Sequence, residues 1–169
     1  MMQAAVHTGD LVERHLHAAE LECARNGSRL TPVRREILDL VLRAPGPVGA
    51  YQLLDQLRGR RRGAAPPTVY RALEFLVGQG LVHRVERLNA FIGCTGDGHA
   101  HQHAAQFLIC RVCGAVREID DSAVAATLHQ IAAAQGFTVE RTTVEVEGVC
   151  AACAAQSRSS TAAAAPASK

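Results

Sequence analysis

The chain has 169 residues, 48% of them hydrophobic and 20% charged, with 4% aromatic residues and no Trp. That is room for one domain or two small ones, not for a large enzyme, and the shortage of aromatic rings argues against base-stacking platforms. The net charge of +2 divides unevenly: residues 1–88 carry 13 Arg against 9 acidic residues, net +4, while residues 89–169 carry 5 basic against 7 acidic residues, net −2.

A basic front half suits contact with a polyanion. Five of the six Cys lie in the rear half. Met1–His17 has neither a basic start nor an apolar stretch, so no leader is expected. No apolar run approaches the roughly 18 residues of a membrane helix. The expected location is the cytoplasm, where clustered Cys are metal ligands more often than disulfides.

In chain order, Leu11, Val12, Leu16, Ala19 and Cys23 form a helical stripe over Leu11–Arg25, closed by Asn26-Gly27. Thr31-Pro32 opens a second helix as cap and first residue, with Val33, Ile37, Leu38, Val41 and Leu42 on one face. Pro45-Gly46-Pro47 stops it. A short helix is expected over Ala50–Leu57, then a loop over Arg58–Ala65. A fourth helix begins at Pro66-Pro67-Thr68 and runs to about Gly78, with Val69, Leu73, Leu76 and Val77 on one side. Leu81–Glu86 alternates with period 2, and Ala90–Cys94 reads as its partner strand. Helices followed by a β-hairpin are the order of a winged helix-turn-helix.

A Gly/His-rich stretch then reads as a hinge. Beyond it, Gln106–Cys110 and Ala115–Ile119 are expected strands, Ser122–Gln135 an Ala-rich helix, and Phe137–Val146 a further strand. The expected fold class is α+β: an N-terminal winged helix-turn-helix and a small α/β dimerisation domain with a four-Cys zinc site. The expected division is 1–93 for DNA binding, 94–104 for the hinge, 105–155 for dimerisation and metal binding, and 156–169 for a disordered tail.

Cys110-x-x-Cys113 and Cys150-x-x-Cys153 are two identical knuckles separated by 36 residues. Each tight turn presents two sulfurs, and four thiolates suit tetrahedral Zn²⁺ at about 2.3 Å. A full thiolate set leaves no position for water, so the site reads as structural. Such a site contributes on the order of 10 kcal/mol to folding. A second constellation, His83, Cys94, His103 and Glu118, offers two imidazoles, a thiolate and a carboxylate. Its thiolate, the softer donor, favours zinc over Fe²⁺ or Mn²⁺, but from spacing alone these four read more readily as ordinary strand and loop residues. His99-x-His101-x-His103 is a denser run and is open between metal binding and a polar loop.

The helix opening at Pro66 is the candidate recognition helix. Recognition helices read base edges with their N-terminal residues. Arg71 suits a bidentate contact with guanine, and Thr68 and Tyr70 suit phosphate or a thymine methyl. Arg60, Arg61 and Arg62, just before it, are candidate phosphate contacts, with Arg29, Arg34 and Arg35 weaker ones.

Arg29-Leu30-Thr31-Pro32, Thr68-Val69-Tyr70-Arg71-Ala72-Leu73, Cys110-Arg111-Val112-Cys113-Gly114 and Cys150-Ala151-Ala152-Cys153 together resemble the ferric uptake regulator family of metal-dependent repressors, over roughly residues 20–155. Within it, Ala50–Asp55, Pro66–Leu73, Leu81–Glu86 and Gly148–Cys153 are closest to the zinc-responsive branch. The resemblance implies that His83, Cys94, His103 and Glu118 are zinc-sensing ligands and that the four paired Cys hold structural zinc, two ions per subunit. It implies base contacts from Tyr51 and Arg71, and salt bridges from Asp55 and Arg58 between neighbouring dimers on one operator. The implied protein is no enzyme. It is a homodimeric repressor of zinc-uptake genes that binds inverted-repeat operator DNA when zinc is bound, with no membrane partner and no small-molecule substrate. The family's iron and peroxide sensors usually carry a His where Pro47 stands, and an Asp-His pair where Gln106-Phe107 stand, which argues against iron or manganese. Thr142 stands where some members have a further His ligand, which counts against a third site at His99 and His101.

Overall fold

Ile37, Leu38, Leu40, Val41 and Leu42 form a nearly unbroken apolar run, and all five are buried. They sit on helix α2 (Pro32–Arg43), around which the front of the chain is built. The computed structural model describes residues 9–94, 105–119, 121–140 and 142–162, and the chain divides into two units, Met1–His103 and Ala104–Lys169.

In the first unit, helix α1 (Gly9–Arg25) buries Val12, Leu16, Ala19 and Cys23. Arg35 of α2 reaches it through Glu13 at 2.7 Å and Glu20 at 2.9 Å; these exposed pairs orient the helix more than they stabilise it. Thr31 precedes α2 without a side-chain capping bond; its carbonyl accepts from the Arg35 amide at 2.9 Å. A two-residue strand, β1 (Val48–Gly49), leads directly into helix α3 (Ala50–Arg60), whose first turn is tied by the Gln52 amide oxygen accepting from the Gly49 N–H at 3.0 Å. Helix α4 (Pro66–Gly78) begins with two prolines, whose missing N–H groups cost nothing there. Leu53, Leu54 and Leu57 of α3 meet Val69, Leu73 and Leu76 of α4 in one core with α2. Truncating one such Leu to Ala costs about 2–5 kcal/mol.

The wing is strand β2 (Val82–Val85), a 3₁₀ turn over Glu86–Leu88, and strand β3 (Ala90–Gly93). Asn89 makes the reversal in the left-handed region at φ 45°, a conformation Asn tolerates better than most residues. The sheet order is β1-β3-β2, all antiparallel. β1 was not expected: two residues are too short to show alternation, and only pairing with Phe91 and Ala90 defines it.

The second unit is a three-stranded sheet ordered β5-β4-β6, from β4 (Ala105–Cys110), β5 (Val116–Ile119) and β6 (Thr143–Gly148). β5 runs antiparallel and β6 parallel to β4. Between β5 and β6 lies helix α5 (Ser122–Ala134), capped by the Asp121 carboxylate accepting from the Ala123 amide at 2.8 Å. Helix α6 (Ala151–Ala162) follows the second knuckle.

Three expectations need correction. The loop over Arg58–Ala65 starts later: α3 continues through Arg60, because the arginine side chains there are held against α2, and the chain turns only at Gly63, with φ +84°. The strand expected over Phe137–Val146 is β6 at Thr143–Gly148. Gly136 (φ +78°) ends α5 and the Phe137 amide bonds back to the Ala132 carbonyl at 2.9 Å, so the alternation of the first residues is not paired. The tail over 156–169, expected to be disordered, is helical as far as Ala162, continuing the helix whose first turn is rich in Ala, the best helix former. The stretch 95–104, including His99, His101 and His103, lies outside the described residues.

Candidate metal centres and nucleic-acid interface

The first knuckle is a turn between β4 and β5. Gly114 adopts φ +71°, its amide donates to the Cys110 carbonyl at 2.9 Å, and the Cys110 amide donates to the Ala115 carbonyl at 2.8 Å. The second knuckle joins β6 to α6: Cys150 immediately precedes the helix and Cys153 lies in its first turn, where the helix dipole favours negative charge. Parallel pairing of β4 with β6, with Cys110 opposite Gly148, brings the two knuckles together. All four sulfurs lie within 4.8 Å of one another, with Cys113 Sγ 3.9 Å from Cys150 Sγ. No two of the six cysteines share a disulfide.

The electrostatics fit a cation. Amide N–H groups of Cys150, Cys113 and Val112 point at the Cys110 sulfur and lower its pKa to about 6. The Cys150 amide is 3.3 Å from it. Cys153, crowded by the sulfurs of Cys150 and Cys113, is pushed up to about 12. The Cys110 thiolate is welcome while Cys153 resists ionising beside the other sulfurs; a divalent metal at the centre removes that conflict. The donor set is that of a structural zinc site.

His83 and Cys94 sit on the wing. His83 faces Ile92 across the β2–β3 ladder, and the Cys94 amide donates to the Leu81 carbonyl at 3.1 Å, extending the register by one pair. His83 and Cys94 are therefore diagonal neighbours on one sheet face, within reach of each other. An imidazole nitrogen and the thiol sulfur lie within 4.8 Å. Both are half-buried. Glu118 lies on β5 of the second unit and is half-buried. His103 falls outside the described residues. Gln106 and Phe107 serve packing: Phe107 is fully buried, and buried Gln106 donates from Nε2 to the Asp121 carbonyl at 2.8 Å.

On the basic surface, Tyr51 opens α3 and is 70% exposed; Tyr70 on α4 is 42% exposed. Arg71 is exposed beside it, and Thr68 is half-buried one turn earlier. The spacing follows from the helix period, since Val69, Ala72 and Leu73 face the core. Asp55 and Arg58, one turn apart on α3, are exposed and pair with each other at 3.6 Å.

The remaining arginines are not equivalent. Arg60 Nη1 lies 2.6 Å from the Asp39 carboxylate, and Arg61 Nη2 lies 2.7 Å from Glu36. Arg62 is exposed, with no ion pair among the described residues. Arg34 stacks its guanidinium 3.5 Å over the Phe75 ring and donates to the Arg29 carbonyl at 2.7 Å. Asp39, 11% exposed, accepts from both Arg60 and Arg43. Burial would raise its pKa, but the hydrogen bonds from Arg60 and Arg43 outweigh burial and leave it lowered. Asp39 and Glu36 were missed in the sequence; the signal was an Asp set inside the apolar run Ile37-Leu38-Asp39-Leu40-Val41.

A model of the ferric uptake regulator family matches residues 25–147. The zinc uptake regulation protein of Escherichia coli (strain K12) is 44% identical over 138 residues, covering 82% of this chain and 80% of that protein. The zinc uptake regulation protein of Mycobacterium tuberculosis (strain ATCC 25618 / H37Rv) is 32% identical over 127 residues, 75% of this chain and 95% of that one. The solved structure of a zinc uptake regulator complexed with zinc and DNA superposes with a TM-score of 0.80 at 41% identity, covering 87% of this chain and 97% of that chain.

Proposed function

The chain belongs to the ferric uptake regulator family, and we propose that it is a zinc-responsive repressor that binds DNA when zinc is plentiful and silences genes for zinc uptake. The observation that carries the reading is the pairing, within one winged unit, of a metal-ligand pair on the wing with a helix exposing Tyr70 and Arg71. Its relatives include proteins named for zinc uptake regulation, and the similar solved structure holds zinc and DNA.

Each subunit takes two zinc ions in this reading. Cys110, Cys113, Cys150 and Cys153 hold the structural ion. His83, Cys94, His103 and Glu118 hold the regulatory one. Arg71 and Tyr51 read bases, and Thr68, Tyr70 and Arg62 complete the DNA surface, while Arg60 and Arg61 are engaged by Asp39 and Glu36. If zinc favours the DNA-competent geometry, DNA tightens zinc binding by the same factor, typically about 1–3 kcal/mol of coupling.

The protein acts as a homodimer in the cytoplasm, each subunit presenting α4 to one half of an inverted repeat. The second unit supports dimerisation: α5 buries no residue, and Ile131, Phe137 and the register partners Leu108 and Val146 are exposed. So much apolar surface calls for a partner. Asp55 and Arg58 then exchange their mutual pair for partners on a neighbouring dimer. No catalytic role is assigned. The test is footprinting on genomic DNA across a zinc titration: protection of inverted repeats upstream of zinc-uptake genes is expected, and zinc-independent or absent protection would overturn the reading.

A further inference from the structure

The basic cluster before the recognition helix divides by partner. Glu36 and Asp39 lie one turn apart on α2, and consecutive residues Arg61 and Arg60 reach them. Arg60 approaches Asp39 at 2.6 Å, and Arg61 chelates Glu36 through Nη2 at 2.7 Å and Nε at 3.3 Å. Arg43 holds the other Asp39 oxygen at 2.5 Å. These two rungs fasten the end of α3 and the first residue of the turn. The turn itself is only residues 61–65, and its later part is also tied: Arg58 Nε donates to the Ala64 carbonyl at 3.4 Å, and Ala64 is buried. Pro66 then starts α4.

We infer that Arg60, Arg61, Glu36 and Asp39 form a clamp that sets where α4 begins and which way Arg71 points, so that Arg60 and Arg61 are positioning residues and Arg62 is the phosphate contact. Asp39 is the decisive member. A carboxylate this buried is costly unless fully paired, and a negative group cannot itself attract DNA. Its cost is balanced by two guanidiniums, and one of them spans from α3. The Arg60 guanidinium is held on that carboxylate, which it shares with Arg43, so it is engaged on α2 and does not extend toward a phosphate. The same holds for Arg61 with Glu36. A recognition helix displaced by even one ångström loses bidentate geometry at a base edge while keeping diffuse attraction to the backbone. The clamp therefore governs specificity, not general affinity for DNA. This inference rests on the reading of α4 as the DNA-contacting helix.

The experiment uses the zinc-loaded full chain and two probes: a duplex selected by it from a randomised pool, and an unselected random-sequence duplex. Asp39→Asn and Arg60→Ala are each expected to weaken binding to the selected duplex by roughly tenfold, with the double variant no worse than the weaker single, because they share one interaction. Binding to the random duplex and its salt slope stay unchanged. Arg62→Ala weakens binding to both duplexes and reduces the salt slope by about 1. Circular dichroism checks folding; if Asp39→Asn does not fold, Arg60→Gln takes its place, and Arg60→Lys must restore discrimination. The clamp is overturned if Arg60→Ala lowers the salt slope as Arg62→Ala does, or if the Asp39 and Arg60 effects add. Wild-type protein that selects no duplex overturns the functional reading and the clamp together, whereas selection with an additive cycle overturns the clamp alone.

Discussion

Leu42 fills the space above Gly93: a Cβ on Gly93 would stand 2.6 Å from Leu42 Cδ2 and 3.6 Å from its Cγ. Leu42 is buried at the end of α2, and Gly93 ends β3 just before Cys94. The backbone carrying a proposed zinc ligand is thus pressed directly onto the helical core. Any side chain at 93 must move either Leu42 or Cys94.

Gly93→Ala is therefore expected to destabilise the protein by about 1–3 kcal/mol through overpacking and to weaken zinc-dependent DNA binding through Cys94. Urea unfolding and a zinc titration of DNA binding check both effects. Unchanged stability would mean that Leu42 yields freely.

Cys94→Ser is expected to remove one zinc per subunit and to abolish the zinc dependence of DNA binding, leaving the fold and the four-Cys zinc in place. Metal analysis beside a gel-shift titration measures it. A variant that still responds to zinc would remove Cys94 from the sensing set.

For the four-Cys site, Cys113→Ser is expected to release zinc and to melt the second unit, with loss of the dimer. The small sheet buries few large side chains besides Phe107 and Ile109, and zinc supplies much of the folding energy of such units. Sedimentation and zinc content would show the change. A folded, dimeric variant without zinc would contradict it.

Arg71→Ala is expected to lose about 1–3 kcal/mol of discrimination at one base pair. Binding to a panel of single-base operator variants reads it. A loss spread evenly over all sequences would make Arg71 a phosphate contact.

Asp39 gives a pH dependence with a definite sign. Its carboxyl lies below the ordinary 3.8, because hydrogen bonds from Arg60 and Arg43 exceed the opposing effect of burial. A depressed native pKa contributes stability that is present above the unfolded value and is lost as pH falls through 3.8 to the native value. Unfolding followed from pH 7 to pH 3 should show this acid limb, and Asp39→Asn should flatten it. An identical acid limb in the variant would place the titration elsewhere.

Much of the first unit was legible because its signals are local. Proline at helix starts, a 3.6-residue stripe and a two-residue alternation each depend on neighbours in the chain, and α4 begins and ends where that pattern placed it, at Pro66 and Gly78. The paired knuckles were legible for the same reason. Phe137–Thr142 misled because alternation was present without a strand beside it; pairing, not pattern, makes a strand.

The sequence by itself determined most of the elements of the first unit, the pairing of the two cysteine knuckles as a metal-ligand set and the exposed residues of α4, since these follow from side-chain type and spacing. Only the tertiary structure decided the fate of the arginines. Arginines near the helix-turn-helix share one chemistry, yet Arg60 and Arg61 meet acids of α2, Arg34 meets Phe75, and Arg62 and Arg71 are exposed. A guanidinium's role depends on which counter-charge lies within about 4 Å, and that partner lies more than 20 residues away along the chain for Arg60 and Arg61. Local pattern carries no information about such a distance, and the packing of α2 against α3 and α4 supplies it.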